Sequence, residues 1–321
     1  MAGIDHVDWE GGTSQTRRLA RLGQKMNSSI DTFRKHRSRL LGIAYRMLGS
    51  VAEAEEVVQD AWLRWHQRPE ADLDSTEAWL VTVATRLAID RLRAAKVQRE
   101  AYAGIWLPEP LLTDGPATPE QLQERADDVS IAFLKLLERL SPEARAAFLL
   151  REVFDVDYAD VARMLEKSEP ACRQLVSRAR AQLNEERPRY VVPRETHLRL
   201  LRTFANAMTS GDFDVLKSLL AESAELMGDG GGKVTSFPKP LAGGRRIAQL
   251  FLASALRFKS RQRVELVNLN GQWGLLRFID GSLESAQAYE TDGDHIVRIY
   301  VQRNPDKLAL LSAARAEPVT G

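Results

Sequence analysis

Three dipeptides near the end of the chain, Asn270-Gly271, Asp280-Gly281 and Asp292-Gly293, restrict its fold more than any other feature. Each separates two segments in which apolar and polar residues alternate, at 262–269, 273–279, 283–289 and 295–301. Asparagine or aspartate followed by glycine supplies the left-handed residues of a tight hairpin, so these segments are expected to form an antiparallel meander. Helical periodicity precedes them at 195–209, 213–220 and 248–256, which makes this part an α+β module. Upstream the pattern is helical at 32–99 and 129–186, and the stretch between is broken by Pro108, Pro110, Gly115, Pro116 and Pro119. Two all-helical modules therefore precede one α+β module. The expected boundaries are a flexible arm at 1–28, helical modules at 29–99 and 129–187 joined by a linker at 100–128, the α+β module at 195–310 and a flexible tail at 311–321.

With a formal net charge of +1 over 321 residues, bulk charge names no partner. A single cysteine, Cys172, excludes internal disulfides and multi-cysteine zinc sites and fits a reducing compartment. The histidines, His6, His36, His66, His197 and His295, lack metal-ligand spacing, and no apolar run approaches the roughly 20 residues that span a bilayer. A cytoplasmic protein with no metal, no cofactor and no membrane partner is expected.

The second helical module ends in a helix-turn-helix pattern. Tyr158, Val161, Ala162 and Leu165 mark its first helix, Ser168 can cap the next, and Pro170 is tolerated in that helix's first turn. Cys172, Leu175, Val176, Ala179 and Leu183 then form one apolar stripe, leaving Arg173, Gln174, Ser177, Arg178 and Arg180 off it. Arginine and glutamine at the front of such a helix suit base edges in a major groove, and later arginines suit phosphates. The alternative is an ordinary amphipathic helix with a solvated basic face.

Two further helices carry opposite charge. At 52–67, Ala54, Val57, Val58, Ala61 and Trp65 form the apolar stripe, while Glu53, Glu56, Gln59, Asp60 and Leu63 line the other side. An acidic face that includes leucine suits a protein better than DNA, because carboxylates repel phosphates; the alternative is a solvated face. At 76–99, Leu80, Val83, Ala84 and Leu87 can face the core, whereas Thr82, Arg86, Ile89 and Arg93 share another face, extended by Lys96 and Arg99. A basic face with an exposed apolar residue suits unstacked single-stranded DNA, and its alternative is again a solvated helix.

The succession of SVAEAEEVVQDAWLRWHQ, EAWLVTVATRLAIDRLR, a linker and LSPEARAAFLLREVFDVDYADVARMLEKSEPACRQLVSRARAQL resembles the extracytoplasmic-function sigma factors of bacterial RNA polymerase. The resemblance covers about residues 31–187. It implies two all-α sigma-factor domains, with core RNA polymerase (β′ clamp helices and β subunit) and promoter DNA as partners. Glu56, Gln59, Asp60 and Leu63, with Glu53 beside them, fall in the core-binding region. Trp79, Thr82, Arg86, Asp90 and Arg93 match the segment that engages the minus-10 element, and Arg173, Gln174, Ser177, Arg178 and Arg180 match the minus-35 recognition helix. Ala171 stands where threonine often occurs in that helix, which leaves open which minus-35 bases are read.

Residues 195–310 resemble the SnoaL-like domain, a cone-shaped α+β fold, and three segments look like hallmarks of sigma factors that carry it: Trp106-Leu107-Pro108-Glu109-Pro110, Asp229-Gly230-Gly231-Gly232-Lys233 and Asn304-Pro305-Asp306-Lys307-Leu308. The first is a stiff segment with an aromatic anchor, so ordering it costs little entropy. The resulting expectation is a docking system in which Trp106, Pro108 and Glu109 meet Asp229, Lys233, Asn304, Asp306 and Lys307, with Lys233 paired to Glu109. A phosphate-binding loop at Lys233 is excluded, since Met227 occupies the place of its first glycine and Val234 that of its hydroxyl. Of the groups that could serve an isomerase or cyclase, Asp280, Asp292 and Asp294 sit at turns for backbone reasons, Asp229 falls in the docking segment, and His295 lacks an evident partner. A non-enzymatic, self-regulating sigma factor is expected; the alternatives are a transcription regulator sensing an unknown small ligand through its C-terminal domain, or a bifunctional SnoaL-type enzyme.

Overall fold

The computed structural model describes residues 11–67, 75–113, 130–184 and 192–316. The first module is α1 (Gly11–Leu48), α2 (Val51–His66) and α3 (Thr76–Glu100). Ser50 and Ser75 cap α2 and α3 by accepting the backbone N–H groups of Glu53 and Ala78. Gly49 turns the chain between α1 and α2 at φ +68°, where a side chain would be strained. Ala54, Val57, Val58 and Ala61 are buried as the stripe predicts, with Trp65 half-buried. The flexible arm expected at 1–28 is corrected from residue 11 onward, because α1 is already helical there. Once a packed helix is nucleated, each added residue gains a hydrogen bond without needing an apolar stripe of its own.

The second module is α4 (Ile131–Leu137), α5 (Pro142–Phe148), a π-helical turn at Leu149–Val153, α6 (Tyr158–Leu165) and α7 (Glu169–Asn184). Ser130 and Ser141 cap α4 and α5, and Ser168 accepts the Ala171 N–H at 3.4 Å ahead of α7. Glu166, at φ +54°, ends α6 and makes the turn. Cys172, Val176, Ala179 and Leu183 are buried beneath α7. Buried residues of both helical modules belong to one continuous core, from Phe33 and Leu40 through Leu80 and Ala84 to Phe148, Val161 and Leu183. Ile89, expected to be exposed beside Arg86, is instead only 6% exposed within that core, because the second module packs over this side of α3.

The third domain opens with α8 (Arg194–Ser210) and α9 (Phe213–Ser218), followed by β1 (Leu220–Asp229), β2 (Leu241–Ala242), α10 (Gly244–Phe258), β3 (Gln262–Leu269), β4 (Gln272–Ile279), β5 (Ser282–Thr291), β6 (Ile296–Gln302) and α11 (Pro305–Ala316). One sheet has the order β2-β1-β6-β5-β4-β3. The three hairpins form as expected, but β1 lies parallel to β6, so the sheet is mixed rather than purely antiparallel. The segment LAESAELMGD contains no β-branched or aromatic residue, which conceals β1 in the sequence. Side chains alternate across the sheet: Trp273, Leu275 and Tyr289 pack with Phe204 and Phe251 of α8 and α10, while Leu276, Phe278 and Ala286 pack with Leu308 and Leu311. The tail expected from residue 311 is corrected accordingly, since α11 continues to Ala316 and buries Leu311 to 3% exposure.

Candidate promoter and polymerase surfaces and the linker clasp

On α2, Glu56, Gln59 and Leu63 are exposed, Leu63 at 46%, and Glu53 and Asp60 are half-buried. Arg91 of α3 donates to both Glu56 and Asp60, at 2.9 Å to the latter, so α3 braces this acidic face. Burial pushes the Glu53 carboxyl upward, opposed by Arg99 and Arg91.

On α3 the expected minus-10 residues are engaged elsewhere. Arg86 donates to the carbonyls of Met164 at 3.0 Å and Arg163 at 3.3 Å, and pairs with Glu166 at 2.9 Å, thereby closing the C-terminal end of α6. Arg93 pairs with Glu143 of α5 and, at 3.3 Å, with Asp90. Thr82 donates to its own helix at Ala78, and Trp79 packs against Trp65 with ring centroids 5.8 Å apart. Deeper in the interface, Arg145 of α5 and Arg99 of α3 donate to the Met47 and Leu48 carbonyls that end α1, both at 2.6 Å. Glu138 accepts from both arginines, and Arg145 is 3% exposed.

On α7, by contrast, Arg173, Gln174, Ser177, Arg178 and Arg180 are all exposed. Arg180 forms a two-pronged pair with Glu152 at 2.6 and 2.9 Å. Arg173 lies 4.3 Å over the ring of Tyr158.

The linker is gripped from both sides. Asp229, at the end of β1, is fully buried and accepts five hydrogen bonds. The donors are the Tyr102 hydroxyl at 2.7 Å, the backbone N–H of Leu107 and Gly231 at 2.9 Å, Gln302 Nε2 at 3.2 Å and Lys307 Nζ at 2.7 Å. Lys307 also donates to the Leu107 carbonyl at 2.6 Å and sits 4.2 Å from the Trp106 ring centroid, and Arg99 lies over the same ring at 4.0 Å. Gln302 reaches the Leu107 and Pro108 carbonyls, and Lys135 reaches that of Trp106. Asn304 donates to the Tyr102 hydroxyl at 3.1 Å, and a Cβ at Gly231 would lie 2.3 Å from Asn304. Burial lowers the Lys307 ammonium against the pull of Asp229.

On its other side the linker meets the α1–α2 turn. The Glu109 carboxylate accepts the Val51 N–H at 2.8 Å and the Ser50 hydroxyl at 3.3 Å, a second cap for α2. Burial raises its carboxyl, opposed by those two donors. Tyr45 donates to the Glu109 carbonyl and accepts from Asn270, which in turn accepts the Leu111 N–H. Leu112 forms a bridge with Leu269 of the edge strand β3. The expected Lys233–Glu109 pair is corrected: Lys233 pairs with Asp306 at 2.6 Å, because the turn through Gly231 and Gly232, φ +63° and +71°, redirects it toward α11. Tyr45, Tyr102, Asn270 and Gln302 complete the clasp without having been expected there; Asn270-Gly271 is fully accounted for by its hairpin, and Gln302 becomes relevant only through its pairing opposite Asp229.

Among the described residues no helix is long and apolar enough to cross a membrane, and no cluster of metal-ligating side chains occurs. Residues 32–97 match the Sigma-70 region 2 family and 130–183 the Sigma-70 region 4 family. The chain is 35% identical over 308 residues to the extracytoplasmic-function RNA polymerase sigma factor SigJ of Mycobacterium tuberculosis, covering 90% of this chain and 96% of SigJ. It is 31% identical over 290 residues to the probable sigma factor SigI of the same organism, covering 88% and 95%. The crystal structure of SigJ superposes with a TM-score of 0.69 at 33% identity, over 88% of this chain and 98% of that one. Likeness that runs through both helical modules, the linker and the α+β domain alike makes the chain a member of the extracytoplasmic-function sigma factors.

Proposed function

We propose that this sigma factor exists in a closed arrangement, maintained by its third domain through the linker, and that it opens when it guides core RNA polymerase to a promoter. Glu53, Glu56, Gln59, Asp60 and Leu63 of α2 meet the β′ clamp helices, and the second module lies against the β subunit. Trp79, Thr82, Arg86, Asp90 and Arg93 of α3 hold the opened minus-10 element, and the outward residues of α7 read the minus-35 element. It acts in the cytoplasm, where the polymerase is.

The observation that carries this reading is the clasp: Asp229 and Lys307 hold the backbone of Leu107 while Glu109, two residues on, caps α2. One short segment thus ties the third domain to the helix bearing the polymerase face. The covalent tether supplies an effective concentration of order millimolar, so modest contacts suffice. The contact between the helical modules includes Arg145, Glu138 and Arg99, charges whose desolvation opposes closing, so a competing partner opens it more readily than it would a purely apolar contact. Phe204, Phe251 and Tyr289 fill the sheet face under α8 and α10 edge to face, which favours regulation through the clasp over a bound small ligand.

The test is transcription in vitro from a genomic promoter library with core polymerase, comparing the full chain with versions ending after residue 189 and just before Asn304. Initiation should require the chain, and loss of Lys307 with α11 should change its rate by about tenfold, the equivalent of roughly 1.4 kcal/mol. Equal initiation by all three versions would remove the regulatory role, and absence of both initiation and core binding would remove the sigma role.

A further inference from the structure

Tyr158, the first residue of α6, touches two arginines. Its ring lies under the guanidinium of Arg173 at 4.3 Å and that of Arg151 at 5.2 Å. Arg151 is itself fixed to the end of the π-helical turn and the loop beyond it, donating to Asp155 at 3.1 Å and the Val156 carbonyl at 3.2 Å. The ring is half-buried and packs against the continuous helical core, so it is a fixed platform. Arg173 is exposed and also donates to Glu169, one turn back, at 3.4 Å.

Stacking occupies the flat face of a guanidinium and leaves its N–H edge free, the edge that makes paired bonds to guanine O6 and N7. It also removes rotamer freedom that an unsupported arginine would lose on meeting a base. Arg180 is held differently: Glu152 takes two of its N–H groups, occupying the edge itself. We propose that Tyr158 is a positioning residue for promoter specificity, presenting Arg173 to one base pair of the minus-35 element. This rests on the assignment of α7 as the minus-35 reader and adds a residue from the preceding helix to it.

The experiment selects minus-35 sequences from a randomised duplex library with holoenzyme assembled from core polymerase and the full chain, using Tyr158→Phe, Tyr158→Leu and Arg173→Ala beside the unmodified protein. Arg173→Ala should flatten the preference at one base pair by about 10-fold or more, within the range for one bidentate contact. Tyr158→Leu should flatten the same base pair by about 5-fold, with the other positions and the thermal midpoint unchanged, and Tyr158→Phe should keep the preference. A profile for Tyr158→Leu identical to that of the unmodified protein, beside a flattened Arg173→Ala, overturns the inference and leaves the α7 assignment standing. Loss spread evenly over all positions with a lowered thermal midpoint would mark Tyr158 as merely structural. An unchanged Arg173→Ala profile overturns both the inference and the role of Arg173.

Discussion

On α7, all five residues expected to touch DNA face outward, whereas on α3 the two arginines expected to hold DNA are bound to the second module of the same chain. Both helices are amphipathic and basic, so the difference lies in what each was packed against. α7 buries one stripe and leaves its opposite side open; α3 buries apolar residues on two sides, with Ile89 under the second module. Glu166 and Glu143 thereby occupy Arg86 and Arg93, the two arginines proposed to meet promoter DNA. If the proposed roles of the two helices hold, a chain in this arrangement presents its minus-35 helix while withholding its minus-10 face, and the two elements would be recognised in sequence.

The strongest way to break this contrast is at the clasp. Asp229→Ala strands the Lys307 ammonium in a buried site without its counter-charge, a loss of about 3–5 kcal/mol for a buried pair. The linker should then be cut much faster by a protease specific for the Trp106-Leu107 region, and α3 should gain access to forked minus-10 DNA. Unchanged cleavage would mean that the linker is held without Asp229.

A smaller effect should follow from freeing α3 directly. Glu143→Gln with Glu166→Gln removes two partly exposed pairs, each contributing about 0.2–1 kcal/mol. Binding to forked minus-10 DNA should rise about two- to tenfold while binding to minus-35 duplex stays constant. Equal gains on both DNAs would show that the two helices are masked together and the contrast is false.

A pH response sharpens the comparison further. Burial holds the Glu109 carboxyl above its ordinary value of 4.5, despite the Val51 and Ser50 donors. The clasped chain therefore keeps a proton that the opened chain has released, so the clasp should tighten as pH falls from neutrality toward 4.5 and loosen as pH rises through the raised value. The protection factor of the Leu107 amide, with the intrinsic pH dependence of exchange divided out, should rise on acidification along this range, and Glu109→Gln should flatten that rise.

How much of this could be read in advance depends on whether the cause is local. The α7 stripe follows from helical spacing alone, and the hairpins from their turn dipeptides, so both match closely. The clasp segments were legible as a set, yet the ion pairs inside them were not. Asp229 faces Gln302 only because β1 runs parallel to β6, and Lys233 turns to Asp306 only because of two left-handed glycines. Asn270 illustrates the same limit: a hairpin accounts for it completely, and its second task between Tyr45 and Leu111 depends on contacts over 159 and 225 residues of sequence separation. Ile89 was misplaced because α3 carries a second apolar side that has meaning only once another module is present.

The finest distinction lies within α7 itself. Arg178→Ala should lower the salt slope of minus-35 binding by roughly 0.9 if one phosphate contact is lost. Arg180→Ala should lower it by less, because Glu152 already neutralises that guanidinium through two bonds and must release it before a phosphate can take its place. Titrating binding against salt for both variants separates the cases. A slope change at Arg180 as large as at Arg178 would mean that Glu152 lets go on DNA, and the outward face of α7 would then rearrange on binding, as is proposed for the covered face of α3.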